Sequence, residues 1–379
     1  MYHLIYVFLS FISLIAANDD YISIKFDKRD TYRLQIEVDE WKGIYENYSP
    51  LTLQGDGNYF INYQKCERDI IEKDTFTFRG ETIGRTLVNK EMKIGEDIHT
   101  KLLFYFIPTY ASPFGLSLSL GLKNESSSIL HTLYKEKKIS DLKFGFYFPP
   151  STPLNGTFYI GGVDKNLIKN MQSSQCRSND TFWGCQLHKV TFNNNSSLVF
   201  GNTFVTFFQT EYHPIYCPIE FLDYLKENFL KDLFENNVCK YHVFGSSKYI
   251  QIRCQNLTTV YSALPEYLNF DFGGNLLRIP MLNLTYSFTE IGKDYVVINM
   301  FYAERDVRND QWNFGMNFFI NYITLFDYED KTVTFYSNEN IITSAIISKE
   351  SIQYFAITTI AILFLGCVLL IVIIYNMNK

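Results

Sequence analysis

The chain has 379 residues, with 34 Lys and Arg against 40 Asp and Glu for a net charge of −6. Without a basic tract or a recognisable nucleic-acid module, this mildly acidic balance excludes a nucleic-acid partner. The length suits one large or two medium lobes, and the absence of any Cys-x-x-Cys pair argues against a zinc site; no metal and no cofactor is expected.

Residues 1–17 form a short apolar run closed by Ala16 and Ala17 before the polar Asn18, Asp19 and Asp20. That is the layout of a cleaved secretory signal peptide, although His3 is its only basic side chain. From there the chain reads as short β-branched or aromatic runs broken by Gly, Asn and Pro, at 32–38, 102–107, 156–160 and 333–336. Leu34, Ile36 and Val38 alternate as a half-buried strand requires, so the protein is mainly β.

Helical pattern is expected in two places. Residues 127–137 open on serines able to cap, and 218–234 begin with Pro218 in the first turn and carry Phe221, Tyr224, Leu225, Phe229 and Leu230 as a core-facing stripe. Each half has strands, a helix and more strands, with the boundary near 165–180: an N-terminal lobe over 18–170 and a C-terminal lobe over 171–338. A polar stalk is expected over 339–353. Residues 354–375 carry no charge and, at 1.5 Å per residue, extend about 33 Å as a helix, enough to cross a hydrocarbon core of roughly 30 Å. Only 376–379 follow, as a cytosolic tail with one Lys. The expected product is a single-pass type I protein of a secretory-pathway or cell-surface membrane.

Of seven cysteines, Cys367 falls in the membrane span and six (Cys66, Cys176, Cys185, Cys217, Cys239 and Cys254) face the oxidising side. Proximity favours Cys176 with Cys185 and Cys239 with Cys254, leaving Cys66 with Cys217, yet six cysteines permit fifteen connectivities. Glycosylation sequons begin at Asn47, Asn124, Asn155, Asn179, Asn194, Asn195, Asn256 and Asn283, which places those segments at the surface of a secretory-pathway protein.

A run near the end of the ectodomain, with Trp312, Gly315, Phe318, Tyr322, Phe326 and Asp327 followed by Lys331 and Val333, resembles the corresponding run of the pepsin-type (A1) aspartic peptidases. Ser119-Leu120-Gly121-Leu122 resembles the tail of that family's D-G-I-L-G-L stretch. Asn155 to Asp164 is similar to its G-x-L-x-F-G-G-x-D hairpin, residues 183–192 to its inter-lobe strand, and 264–270 to its L-P-x-I-x-F strand. The resemblance implies two mostly antiparallel β lobes enclosing a long cleft.

It also implies a chemistry that this sequence lacks. Two carboxylates at short range share a proton, because both cannot ionise, and the ionised one activates a water. Each comes from a D-T-G or D-S-G turn, and neither tripeptide exists anywhere in the 379 residues. Family spacing back from Cys66 sets Leu53-Gln54-Gly55 over the first motif, with Phe60 near the family's Trp. Spacing back from Pro218 sets Gln209-Thr210-Glu211 over the second, and the flap tyrosine falls near Phe78.

Leu cannot carry a proton and a Gln amide does not titrate, so no acid–base pair remains. Among substitutes, Asp56 would require a register slip, and Gly55-Asp56-Gly57-Asn58 reads more simply as a tight turn. Asp39 fits a hairpin end. Glu211 and His213 share a face and could pair or hold a metal, but a solvated pair is the plainer reading. Asp271-Phe272-Gly273 lacks the accompanying kinase motifs and reads as a hairpin.

The leading expectation is therefore a catalytically inactive, membrane-anchored homologue that holds a peptide or protein ligand in its inter-lobe cleft. The alternative is an active aspartic endopeptidase with atypical catalytic residues. A third is a structural surface protein that needs no cleft.

Overall fold

The computed structural model describes residues 21–25, 34–38, 47–49, 51–52, 58–61, 70–78, 81–94, 98–107, 116–120, 128–149, 156–180, 182–193, 203–207, 215–244, 249–273, 276–290, 292–303 and 312–342. The runs read as strands are strands: Leu34–Val38, Ile98–Ile107, Thr157–Ile160 and Thr332–Ser337. The signal peptide, the membrane span and the tail lie outside the described residues. Among the described residues no helix is long and apolar enough to cross a membrane.

Three strands from each half of the chain meet in one antiparallel sheet, in the order Ile22–Lys25, Thr157–Ile160, Lys143–Tyr147, Ile323–Asp327, Thr332–Ser337, Gln172–Arg177. The central pair joins the halves, with Phe144 opposite Phe326 and their rings stacked at 4.6 Å. Strand alternation sends Phe144, Phe146, Phe158, Phe326 and Phe335 into the main core. The opposite face carries Tyr159, Ile323, Tyr147 and Tyr336, packed with Leu167 and Ile168 of the short helix Lys165–Ile168. Gly145 is required in the central strand, because a Cβ there would meet Val163 Cγ1 at 2.7 Å and the Thr324 carbonyl oxygen at 2.8 Å.

The two lobes repeat one strand path. In the first, Leu51–Thr52 runs parallel to Leu116–Ser119, which pairs antiparallel with Asn58–Ile61, which runs parallel to Ile98–Ile107. In the second, Thr203–Phe207 runs parallel to Asn313–Phe314, which pairs antiparallel with Ile215–Tyr216, which runs parallel to Met300–Ala303. Each path ends in a hairpin: Glu81–Ile94 with Ile70–Phe78, and Tyr249–Gln255 with Cys239–Phe244.

Several expectations need correction. The helix expected over 218–234 is two, Ile219–Asn228 and Lys231–Glu235. The chain leaves helical geometry at Phe229, where the Phe229 and Leu230 amides both bond to the Leu225 carbonyl; this turns Leu230 fully into the core and sets Phe229 against Phe192 at 5.0 Å. The 127–137 helix is the shorter Ile129–Lys135. Residues 183–192 form two strands in different sheets, Gly184–Leu187 and Lys189–Phe192.

The strand expected from 264 starts at Tyr267, because an unforeseen helix, Leu257–Ala263, precedes it. Its β-branched sequence hid it, but Asn256 accepts from the Thr259 amide and Val260 is buried. The stalk cannot begin at 339: Ile341–Ile342 pairs with Leu276 and Leu277, and the Asn340 carbonyl accepts from the Arg278 amide.

Disulfides join Cys176 to Cys185 and Cys239 to Cys254. Among the described residues Cys217 is a buried free thiol; Cys66, its expected partner, lies outside them. Asp271 pairs with Leu276 across the hairpin that the D-F-G reading anticipated, and the Gly273 amide donates to Asp271 Oδ1 at φ +90°.

Candidate functional site

The repeated strand path picks out two places in the chain. Residues 53–57 join the strands that flank Leu116–Ser119, and residues 208–214 join those that flank Asn313–Phe314. The two segments thus connect topologically equivalent strands. Leu53, Gln54, Gly55 and Asp56 belong to the first and Gln209, Thr210, Glu211 and His213 to the second; all lie outside the described residues, as does Asp39.

One side chain that sequence reading passed over ties both places together. Trp183 is fully buried, and its indole Nε1 donates to the Leu120 carbonyl at 2.7 Å, directly after the first lobe's Leu116–Ser119 strand. Its own carbonyl accepts from the Phe207 amide at 3.0 Å, at the last residue before the second segment. The ring is held by edge contacts to Phe144 at 5.7 Å and Phe326 at 5.1 Å, the stacked pair at the centre of the inter-lobe sheet. Trp183 therefore positions the approaches to both segments from one rigid point. Its partners lie far away in sequence, so only a fully apolar neighbourhood would have hinted at this role.

The approach to the second segment rests on aromatic packing. Phe207 packs against Phe319 at 5.9 Å and Phe335 at 5.8 Å, while Phe314 stacks on Phe318 at 4.2 Å and meets Phe270 edge-on at 4.8 Å. Each such pair contributes roughly 0.5–1.5 kcal/mol beyond its burial.

Where the chain leaves the segment, Tyr216 begins a wall of partly exposed rings. It lies 6.0 Å from Tyr249 and 6.2 Å from Phe301, and Phe244 lies 5.3 Å from Phe301. These surfaces suit apolar side chains, and the His242 ring stacks on Phe244 at 5.9 Å. Cys217 follows, its thiol pushed well above the ordinary range by burial, which leaves it unreactive.

In the first lobe the corresponding hairpin is Ile70–Phe78 with Glu81–Ile94. Phe78 is its last paired residue, opposite Glu81.

Among the sequons, Asn256 and Asn283 are exposed and Asn179 is half-buried. Asn47 lies in the strand Asn47–Ser49, and Asn124, Asn155, Asn194 and Asn195 lie outside the described residues. No group of three or more His, Cys, Asp or Glu that could hold a metal occurs among the described residues.

A family model described as eukaryotic aspartyl protease matches residues 66–337. The matched region contains both hairpins and the second segment and begins beyond the first. No curated protein matches the chain.

Proposed function

Since the chain belongs to the eukaryotic aspartyl protease family, we propose that it is a member that has lost peptidase chemistry and uses its cleft to hold an extended peptide or protein segment. The observation that carries this reading is the absence of any D-T-G or D-S-G tripeptide from the sequence; family spacing back from Cys66 and Pro218 sets Leu53 and Gln209 where the two aspartates would fall. Neither side chain moves a proton at any physiological pH. The equivalence of the strands around 53–57 and 208–214 supports that placement.

Binding needs less. A peptide lying between the Ile70–Phe78 hairpin and the Tyr216, Tyr249 and Phe301 wall gains main-chain hydrogen bonds along an edge and apolar contacts for alternate side chains. The two disulfides support an oxidising, secretory-pathway setting, and the uncharged 354–375 stretch supports a membrane tether.

The test is an acid-pH cleavage assay on the full-length protein with and without pepstatin, run beside capture of extended apolar peptides. No cleavage and saturable capture are expected. Pepstatin-sensitive cleavage that disappears on Asp56→Ala would overturn the reading in favour of an active endopeptidase with an atypical aspartate.

A further inference from the structure

A groove of about 570 Å³ opens on the inter-lobe sheet, on the face bearing Tyr147, Ile323 and Tyr336. None of its lining residues belongs to the strands flanking 53–57 or 208–214. Its size falls within the roughly 300–1,000 Å³ usual for small-molecule sites. Tyr147, Met171, Ile320 and Tyr336 give it apolar walls, and Asn321 and Asn340 give it a polar end.

At that end stands Asn283, exposed and first in the sequon Asn283-Leu284-Thr285. Its Nδ2 donates to Asn321 Oδ1 at 2.8 Å. Asn321 is fixed in turn, because its own Nδ2 donates to the Asn317 carbonyl at 2.8 Å and its carbonyl accepts from Asn340 Nδ2 at 3.1 Å. One amide hydrogen of Asn283 is thereby committed to the protein.

We propose that Asn283 carries an N-linked glycan whose first N-acetylhexosamine lies in this groove against Tyr147 and Tyr336. The donor is a lipid-diphosphate oligosaccharide. The Nδ2–C1 bond forms, the C1–oxygen bond to the diphosphate breaks, the diphosphate leaves on its lipid, and one amide proton passes to the transferase's base. The second N–H remains to hold Asn321. The C–H face of the sugar packs on the tyrosine rings, and its acetamido group meets the Asn321–Asn340 end.

The exposed sequon at Asn256 differs. Its side-chain oxygen caps the helix Leu257–Ala263, and the hollow beside it is lined by Gln255, Leu257, Thr258, Lys293 and Asp294, with no aromatic surface. A sugar there would stand in solvent. The inference depends on passage through the secretory pathway, not on the cleft.

The experiment expresses the full chain in a high-mannose eukaryotic host and maps occupancy by mass spectrometry after enzymatic release in heavy-oxygen water. Thermal denaturation then compares three forms: intact, trimmed to one sugar at each site, and never glycosylated at position 283. Asn283 is expected to be occupied, and the single-sugar form to melt with the intact one. Asn283→Gln and Thr285→Ala, which removes the acceptor signal but keeps the amide, should each lower the midpoint by roughly 2–4 °C. Thr258→Ala, which removes the Asn256 acceptor signal but keeps its cap, should leave it unchanged, and in the Tyr336→Ala background the effect of Thr285→Ala should shrink to the cost of the Thr285 Oγ1–Leu282 hydrogen bond. An unmodified Asn283 in a chain modified elsewhere overturns the proposal, as does an Asn283 glycan whose loss leaves the midpoint where it was.

Discussion

The two hairpins at matching places in the two lobes are held in different ways. Ile70–Phe78 and Glu81–Ile94 pair along their backbones, with a register shift between Ile70 and Glu72, and the sequence has no cysteine from 67 to 175. Cys239–Phe244 and Tyr249–Gln255 pair in register from Cys239 opposite Cys254, and a disulfide joins those two residues across a Cα separation of 4.0 Å. A hairpin held by ladder bonds can open at a free energy below that of global unfolding, whereas a covalent closure at its base resists that opening. The same strand path thus yields one arm closed covalently at its base and one whose own strands carry no cysteine to do so.

The change with the largest expected effect erases the comparison, because it removes what both lobes lean on. Trp183→Ala deletes a fully buried indole, frees the Leu120 carbonyl and leaves a void beside Phe144 and Phe326. A loss of about 3–5 kcal/mol is expected, read as a lower denaturant midpoint and as faster amide exchange in both hairpins at once. Trp183→Phe keeps much of the volume and loses the 2.7 Å hydrogen bond, so its cost should be smaller and felt first around 116–120. If only one hairpin responds to Trp183→Ala, the residue does not join the two approaches.

Opening the disulfide should make the two arms alike. Cys239→Ser with Cys254→Ser releases a crosslink of sequence separation 15, for which loop entropy predicts about 3 kcal/mol. Exchange protection over 239–255 should fall toward that of 70–94 without a change in the N-terminal lobe. Retained protection would mean that the Tyr216, Phe244, Tyr249 and Phe301 rings, not the crosslink, hold the wall.

A smaller effect comes from pH and acts on the sheet the lobes share. The Lys143 ammonium is held above its ordinary range by its hydrogen bond to Asp327, at 2.9 Å, and burial pushes the Tyr159 hydroxyl up to about 12. In both groups folding favours the protonated form. Their contribution is therefore complete below the unfolded values near 10 and is lost as pH rises through the folded ones. Stability should fall by roughly 2 kcal/mol between about pH 10 and pH 12, with both hairpins losing protection together. Tyr159→Phe should flatten that decline; an unaltered alkaline profile would remove Tyr159 as its source.

What the sequence disclosed follows the range of the interactions involved. Alternation exposed strands such as Leu34–Val38, because a half-buried strand writes its own period locally. The meeting of Lys143–Tyr147 with Ile323–Asp327 left no local mark, since each strand alone is only a short aromatic run. The helix Leu257–Ala263 was hidden by its β-branched residues, and the break at Phe229 by a stripe that continues unbroken through it. At the site, spacing from Cys66 and Pro218 named Leu53 and Gln209, which fall in the segments 53–57 and 208–214 outside the described residues. The role of Trp183 was illegible, because its partners Leu120 and Phe207 lie in different lobes, 63 residues before it and on the strand Thr203–Phe207 after it. The free thiol of Cys217 was hidden by an even cysteine count that suggested full pairing.

The smallest expected effect bears most directly on activity. Phe78 ends the first-lobe hairpin's paired register, and Phe78→Tyr adds one hydroxyl there. A substitution at a hairpin end that opens no cavity and removes no hydrogen bond should move stability by no more than about 0.5 kcal/mol. In a cleft without an acid–base pair that hydroxyl has no reacting group to support, so acid-pH cleavage should remain absent. It should stay absent until Leu53→Asp and Gln209→Asp supply two carboxylates able to share a proton. Cleavage gained from Phe78→Tyr alone would mean that a competent pair is already present, and the difference between the arms would then belong to a working peptidase.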